Sequence, residues 1–331
     1  MRSLISRIAL ATVALGLVAT TGCQHHSKSE TFYLISTNLR LPYWKTVYQG
    51  FTNAAQEYNV TARLDGPDTY DSQAELDAFK KAVAAKPAGI LVSVADAVAM
   101  RADITSAIEA GIPVITVDSD APLSARLYFI GTNNVEAGHL GGQRLVEKMN
   151  GKGNVVFFSI SGQPNEEERL KGYKDVLGQH SGIKVEDVFD TKGDPGTAFD
   201  QTEQYLAKTG ADKVDAIVCL ESASAKAVSD VLKRHNNTNI VLIAMDVQPE
   251  TLSLIKDGTI AATVSQKPFT MGYVGLKALD EVHHHIPSPF RTNYRVDSFS
   301  KFPEFVDTGT AIVDKSNVDI YQESATAAAG K

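Results

Sequence analysis

The chain has 331 residues, 43% of them hydrophobic and 21% charged. That leaves room for one large or two ordinary domains with a real core, and it excludes wholesale disorder. Lys and Arg number 32 against 39 Asp and Glu, a formal charge of −7, which argues against a nucleic-acid binder held by phosphate contacts. At the N-terminus Arg2 and Arg7 flank the start of an apolar run of 12 residues, Ile8 to Ala19, followed by Thr20-Thr21-Gly22-Cys23. A run this short, after a basic start, reads as an export signal rather than a membrane span.

The Gly-Cys ending resembles the lipobox of bacterial lipoproteins, in which Cys23 would be lipidated and become the first mature residue. Thr20 stands where such boxes usually carry Leu, and a plain signal peptide is the alternative. Removing Arg2 and Arg7 takes the formal charge from −7 to −9, so the mature protein is acidic. Gln24 to Glu30 is polar and reads as a solvated tether, His25 and His26 included. Cys219 lies in the apolar run Ala216 to Leu220 and is expected to be buried and inert. Two cysteines make neither a disulfide framework nor a four-cysteine zinc site.

From Thr31 onward, short β-branched runs alternate with stretches of helical period. Strands are predicted at Phe32–Ser36, Thr61–Leu64, Gly89–Val92, Val114–Val117, Asn154–Phe158, Val185–Phe189, Ala216–Cys219, Val241–Ala244 and Ala261–Val264. Helices are predicted at Trp44–Tyr58, Gln73–Ala85, Ala97–Ala110, Val135–Met149, Glu166–Gly178, Thr197–Lys208, Ala223–His235, Pro249–Lys256 and Thr270–His283. Ser72 and Glu75 have capping-box spacing. Gly111-Ile112-Pro113 is a helix stop. Alternation with short loops predicts α/β architecture, parallel sheets covered by helices on both faces. Nine units are many for one open sheet, and Asp118 to Ile130 breaks the rhythm. Two doubly wound lobes joined near residue 132 are therefore expected. The tail from Gln322 to Lys331 is small and polar and reads as disordered.

Ligands of open α/β sheets bind beyond the carboxyl ends of the strands. The residues at those ends here include Ser36, Thr37 and Asn38, then Ser93, Asp118, Ser159, Glu221, Asp246, Ser265 and Gln266. Carboxylates, amides and hydroxyls of this kind suit a polyhydroxylated molecule. Tyr43 and Trp44 offer aromatic faces for a sugar ring, although Trp44 could equally be core. Asp71, Ser93, Asp96 and Ser222 could instead be helix caps. Phosphate-loop, dinucleotide, zinc-protease and nucleophile-elbow motifs are absent. Asp118-Ser119-Asp120 lacks the spacing of a calcium loop. His283-His284-His285 reads as a solvated helix end, and Glu166-Glu167-Glu168 as acids opposing the dipole of a helix start. No catalytic residues, metal site or cofactor are expected.

Several strings together resemble type I periplasmic binding proteins of the ribose-binding kind, the sugar-binding lipoproteins of ABC transporters. They are Ser36-Thr37, Pro42-Tyr43-Trp44, Gly50-Phe51, Gly111 to Asp118, Ile130 to Asn134 with Gly138, Glu168 to Tyr173, Met245-Asp246 and Ala261 to Pro268. The resemblance covers roughly Phe32 to Ile286. It implies two similar parallel-sheet lobes joined by a three-segment hinge, near Thr132, Gln266–Pro268 and Pro287–Pro289, with a sugar held between them. The expected division is signal peptide 1–23, tether 24–30, first lobe 31–132 with 267–289, second lobe 133–266 with 290–320, and tail 321–331. The implied ligand contacts are Asn38, Arg40, Tyr43, Trp44, Ser93, Asp118, Asn165, Glu167, Glu221, Asp246 and Gln266. Ser119 replaces an Arg common in the family, another Arg position falls on Glu167, and Glu221 replaces an Asn. A ribose pocket as such is therefore not implied. Another monosaccharide or a polyol fits, or a cationic solute neutralising Glu167 and Glu221.

The implied protein works outside the cytoplasm, anchored through Cys23, as a monomer that closes on its ligand and delivers it to an ABC permease. Two other classes compete. A ligand sensor partnering a membrane receptor needs no different site. A hydrolase could use Asp118 and Asp246 as an acid/base pair.

Overall fold

The computed structural model describes residues 26–287 and 297–329. Cys23 with its export signal, and Ser288 and Pro289 of the expected third hinge segment, lie outside the described residues. In chain order the first unit has β1 (Thr31–Ile35), α1 (Pro42–Glu57), β2 (Thr61–Asp65), α2 (Ser72–Ala84), β3 (Gly89–Val92), α3 (Ala97–Glu109), β4 (Val114–Val117) and β5 (Phe129–Gly131). The second has α4 (Asn134–Lys148), β6 (Gly153–Ser159), α5 (Pro164–Leu177), β7 (Ile183–Asp190), α6 (Pro195–Leu206), β8 (Ala216–Cys219), α7 (Ser224–Arg234), β9 (Val241–Met245), α8 (Pro249–Asp257) and β10 (Ala262–Ser265). The chain then runs through α9 (Pro268–His284), β11 (Phe305–Asp307), β12 (Ala311–Val313) and α10 (Val318–Ala329).

These strands form two six-stranded sheets, ordered β11-β5-β4-β3-β1-β2 and β12-β10-β9-β8-β6-β7. The first sheet is parallel throughout. In the second, only β12 runs antiparallel. β3, β4, β8 and β10 are buried along their whole length. Helices cover both faces of these strands, so β3 and β8 read as unbroken apolar runs, and β4 and β10 place small hydroxyl residues among apolar ones rather than alternating. In each sheet the chain reverses its direction of winding once, between β1 and β3 and between β6 and β8. The loops leaving these strands diverge and leave a crevice.

Helix starts follow local chemistry. Proline opens α1, α5, α6, α8 and α9, where its missing N–H costs nothing and its fixed φ suits the first turn. Asp71 and Asp96 cap α2 and α3, each accepting two backbone N–H bonds. The capping-box reading of Ser72 and Glu75 is thus off by one. Asp71 is the cap, and Glu75 is a fully buried carboxyl whose Oε2 accepts the Ala95 N–H at 2.9 Å.

Gly50, Gly138 and Gly172, which carry part of the family resemblance, are contact points between helices, as is Gly272. A Cβ on Gly50 would stand 2.0 Å from the Phe269 carbonyl oxygen, and one on Gly272 would stand 1.9 Å from that of Val47. The second lobe repeats this arrangement between α4 and α5: a Cβ on Gly138 would meet the Arg169 carbonyl at 2.2 Å, and one on Gly172 that of Val135 at 2.1 Å. Gly172→Ala should therefore force α4 and α5 apart and lower stability by about 1–3 kcal/mol, read as an earlier urea midpoint at unchanged slope.

The chain passes between the sheets three times: from Gly131 to Asn134, from Ser265 to Pro268, and from Asp307 to Ala311. The third passage corrects the expected one at Pro287–Pro289. β11 pairs with β5, so Phe305–Asp307 belong to the first sheet, not to a second lobe starting at residue 290. A three-residue, largely exposed strand has no apolar pattern by which to find it. The expected disordered tail is also corrected. α10 runs to Ala329, with Val318 buried and Tyr321 against the second lobe's core, and its alanines are strong helix formers.

Candidate functional site

A cleft opens between the carboxyl ends of the two sheets. The first lobe lines it with Thr37, Asn38, Tyr43, Trp44, Tyr70 and Asp118. The second lines it with Gln163, Asn165, Glu166, Arg169, Glu221 and Asp246, and Gln266 sits at a passage between the lobes. Strand ends supply about half of these positions, and the starts of α1 and α5 most of the rest. Asn38 follows β1, Asp118 follows β4, Glu221 follows β8 and Asp246 follows β9.

Asp118 and Asp246 occupy equivalent places in the two lobes, one residue past a buried strand. Both have left-handed backbone, with φ of 63° and 70°. Such a conformation is uncommon outside glycine and tends to occur where a site holds a side chain in place. Asp118 is held by the Tyr43 hydroxyl at 2.7 Å, the Ser93 hydroxyl at 3.4 Å and the Asn165 amide at 3.2 Å. The last bond crosses from one lobe to the other. Asp246 accepts the Gln266 amide at 3.0 Å, and Gln266 Oε1 in turn accepts the Thr132 hydroxyl at 2.8 Å. The Asp246 carboxylate is thereby coupled to two of the segments that join the lobes. Thr308 N–H to the Gly131 carbonyl and Thr310 Oγ1 to the Ser265 carbonyl, both 2.8 Å, tie the third passage to the other two.

Arg169 is the only cation among the described residues lining the cleft. It is 3% exposed. Its Nε donates to Asn134 Oδ1 at 2.9 Å, Nη1 to the Leu220 carbonyl at 2.7 Å and Nη2 to Gln266 Oε1 at 3.4 Å. Four buried carboxyls surround it. Burial pushes Asp118 up, with Arg169 opposing. Burial raises Asp246 to about 6, again against Arg169. Glu166 and Glu221 are raised first by burial, and Glu221 raises Glu166 further. Glu166 accepts the Ile160 N–H at 2.7 Å and the Ser159 hydroxyl at 3.0 Å. Glu221 accepts the N–H groups of Ala223 and Ser224 and the Ser224 hydroxyl. It therefore serves the start of α7 that Ser222 was a candidate to cap.

The sequence-predicted contacts divide as follows. Asn38, Tyr43, Trp44, Asp118, Asn165, Glu221, Asp246 and Gln266 come together in the cleft. Ser93 is buried behind it and reaches the cleft only through Asp118. Arg40 points outward. Its side chain is 71% exposed beside Asp68, because the Asn38 side chain accepts the Arg40 N–H and turns the loop. Glu167 is exposed and accepts the Gly162 N–H at 3.2 Å. Its neighbour Glu166 takes the inward place. Asn165, Glu166 and Arg169 share one helix face at spacings of three and four, and position 167 is turned away from it. That periodicity was the available signal for both Glu166 and Arg169. Tyr70 and Gln163 carry no such signal, since they enter from loops. Asp120, the other acid of the Asp-Ser-Asp run, is held by Arg126 and the Thr116 hydroxyl and does not join the cleft. Cys219 is buried, and burial pushes its thiol well up.

The paired sheets, strand-end cleft and triple passage set the context for comparison with known proteins. The periplasmic binding protein domain matches residues 32–283. The chain belongs to that family. Among its relatives, the xylose/arabinose-binding protein XylF of Sulfolobus acidocaldarius is 23% identical over 304 residues, 87% of this chain and 71% of that one. Of solved structures, a sugar-binding protein of a sugar ABC transporter from Bacillus halodurans is 34% identical with a TM-score of 0.75, covering 88% of this chain and 99% of that one. An ABC-transporter solute-binding protein from Burkholderia graminis in complex with D-arabinose is 26% identical with a TM-score of 0.78, covering 88% and 96%.

Buried acids give this chain a defined pH response. Glu75, outside the cleft, is raised to about 8 by burial, against the Ala95 hydrogen bond, and Asp246 to about 6. In the unfolded chain both titrate near pH 4. Between about pH 4 and the folded-state values, unfolding releases protons, so stability falls as pH rises and levels off above pH 8, at roughly 1.4 kcal/mol per pH unit for each proton. Asp194, lowered by hydrogen bonds from Gly196 and Thr197, acts in the opposite sense but only below about pH 4. Glu75→Gln mimics the neutral acid. It should match the native protein near pH 5 and exceed it at pH 8 in denaturant titrations.

Proposed function

We propose that this chain is the extracytoplasmic sugar-binding component of an ABC importer, taking up a monosaccharide or polyol between its lobes and passing it unchanged to a permease. The arrangement that supports this reading is the pair Asp118 and Asp246, the first fixed by hydroxyl and amide donors and the second by the Gln266 amide, in one cleft with Arg169, Asn38, Tyr43 and Trp44. Aligned acceptors and donors replace the water around several vicinal hydroxyls, and the aromatic wall meets the C–H face of a ring. Contacts from both lobes exist together only when the lobes are close, so a bound solute shifts the population toward the closed form. The relatives are binding proteins, which supports binding without chemistry. Cys23 as lipid anchor would keep the protein at the membrane surface as a monomer, within reach of its permease.

The test is a thermal-shift screen of pentoses, hexoses and polyols, followed by calorimetry on the hits. A binder of the native state raises the melting temperature with concentration. A solute that stabilises the protein and is recovered unaltered after long incubation is the expected result. Flat melting curves across the whole panel would overturn the assignment.

A further inference from the structure

The N-terminal segment does not hang free as a tether. His26 stacks on Tyr58 at 4.8 Å and 4°. The Glu30 carbonyl accepts the Thr61 N–H at 2.9 Å, and the Lys28 carbonyl accepts the Thr61 hydroxyl at 2.7 Å. This brings His26 and Glu30 against the last turns of α9, far along the chain but adjacent in space. Of the histidine run there, His285 is exposed as expected, but His284 is not. The His284 side chain is 12% exposed.

We propose that His26, Asp280 and His284, with Glu30 beside them, form a divalent transition-metal site, with zinc the fitting ion, that fastens the segment leading from the N-terminus onto the first lobe. One donor atom from each of His26, Asp280 and His284 can be chosen so that all lie within 4.8 Å of one another. His26 Nε2 lies 2.9 Å from Asp280 Oδ2, and His284 Nε2 lies 3.5 Å from Glu30 Oε1. Donors around a tetrahedral zinc stand roughly 3.4 Å apart. Asp280 and His284 are one turn apart on α9, so both project from one face.

Two further observations point to a cation. Asp280 is 6% exposed, and its Oδ1 is buried without a hydrogen bond, with the His284 Nδ1 3.5 Å away as its ion-pair neighbour, so this carboxylate oxygen is desolvated and only weakly compensated. The other is the His284 ring. Its Nδ1 stands 3.0 Å from the Asp280 carbonyl oxygen. In the neutral tautomer that donates there, Nδ1 carries the proton and the Nε2 lone pair faces Glu30. Metal-bound histidines are commonly oriented by such a backbone bond on the other nitrogen. A lone pair facing a carboxylate is repulsive unless a proton or a metal ion lies between them, and the metal titration below separates the two. Two carboxylates and two neutral imidazoles balance a doubly charged ion, and nitrogen with oxygen donors suits zinc over calcium or magnesium.

The experiment strips the full chain of metal with a chelator and titrates Zn²⁺ against a chromophoric competitor. One ion per chain should bind. His26→Gln and His284→Gln should each weaken it by about ten-fold or more, while His235→Gln, on the other lobe, should leave it unchanged. Because a variant could fail for want of folding, Co²⁺ added to the unmodified protein supplies a second readout. An intense visible band of a four-coordinate nitrogen and oxygen site is expected. The proposal is overturned by the weak spectrum of a six-coordinate ion, by a thiolate charge-transfer band, or by Zn²⁺ affinity indifferent to both cluster variants. Those results would leave the cluster as an ion-paired clasp held by protons alone.

Discussion

Arg169→Gln will abolish solute binding and cost the folded protein about 3–5 kcal/mol. The magnitude follows from what the guanidinium faces. Asp118, Asp246, Glu166 and Glu221 are all raised by burial, and Arg169 is the nearby charge that opposes the rise in each. Removing one partner from a buried charge cluster leaves the others desolvated and uncompensated, which is much worse than never having built it. Their protonation would relieve part of the cost. The variant should therefore recover stability as pH falls, and its denaturant midpoint at pH 5 should lie closer to the native protein's than at pH 8. Three hydrogen bonds go with the charge: to Asn134, to the Leu220 carbonyl and to Gln266. Arg169→Lys keeps the charge but lacks the planar fork. It should restore much of the stability and little of the affinity. A variant that melts like the native protein at pH 8 would mean that the cleft acids do not depend on this cation.

How far the sequence carries a reader can be judged at such positions. The alternation of β-branched runs with helical stretches marks nine strands and nine helices, because fully buried parallel strands leave continuous apolar runs. Strand ends then point to Asn38, Asp118, Glu221 and Asp246 without any side-chain coordinates. Errors begin where geometry turns on a single residue. Glu167 and Glu166 differ by about 100° around α5, and composition cannot tell which faces inward. Asp71 and Ser72 are both good caps, and the choice between them freed Glu75 for the interior. β5, β11 and β12 have three residues each, too few for any period to register. β11 also decides where the third passage lies. The histidines at the two ends of the first lobe look solvated along the chain and are brought together only by the packing of the N-terminal segment against α9.

Asp246→Ala should lower solute affinity by about 100-fold or more, since a hydrogen bond to a charged group contributes about 1.5–3 kcal/mol and a sugar hydroxyl pair can use both carboxylate oxygens. The backbone complicates that variant. At φ 70° a residue with a Cβ is strained by roughly 1–2 kcal/mol, and Asp and Asn tolerate the conformation better than Ala. Alanine also orphans the Gln266 amide, whose bond to Asp246 Oδ1 links the cleft to Thr132 at the first passage between lobes. Three substitutions separate these effects. Asp246→Gly relieves the strain and removes the acceptor, so it should be more stable than Asp246→Ala yet bind as poorly. Asp246→Asn keeps shape and backbone but replaces one acceptor by a donor, and should lose affinity with little loss of stability. Since Asp246 carries a proton up to about pH 6, affinity of the native protein should rise as pH climbs from about 5 to 7 and the acceptor ionises. The Asn variant should show a flatter profile. Calorimetric titrations at the two pH values would decide the matter. Equal affinity across all four proteins would place the solute away from Asp246, and with it away from the second lobe's half of the grip.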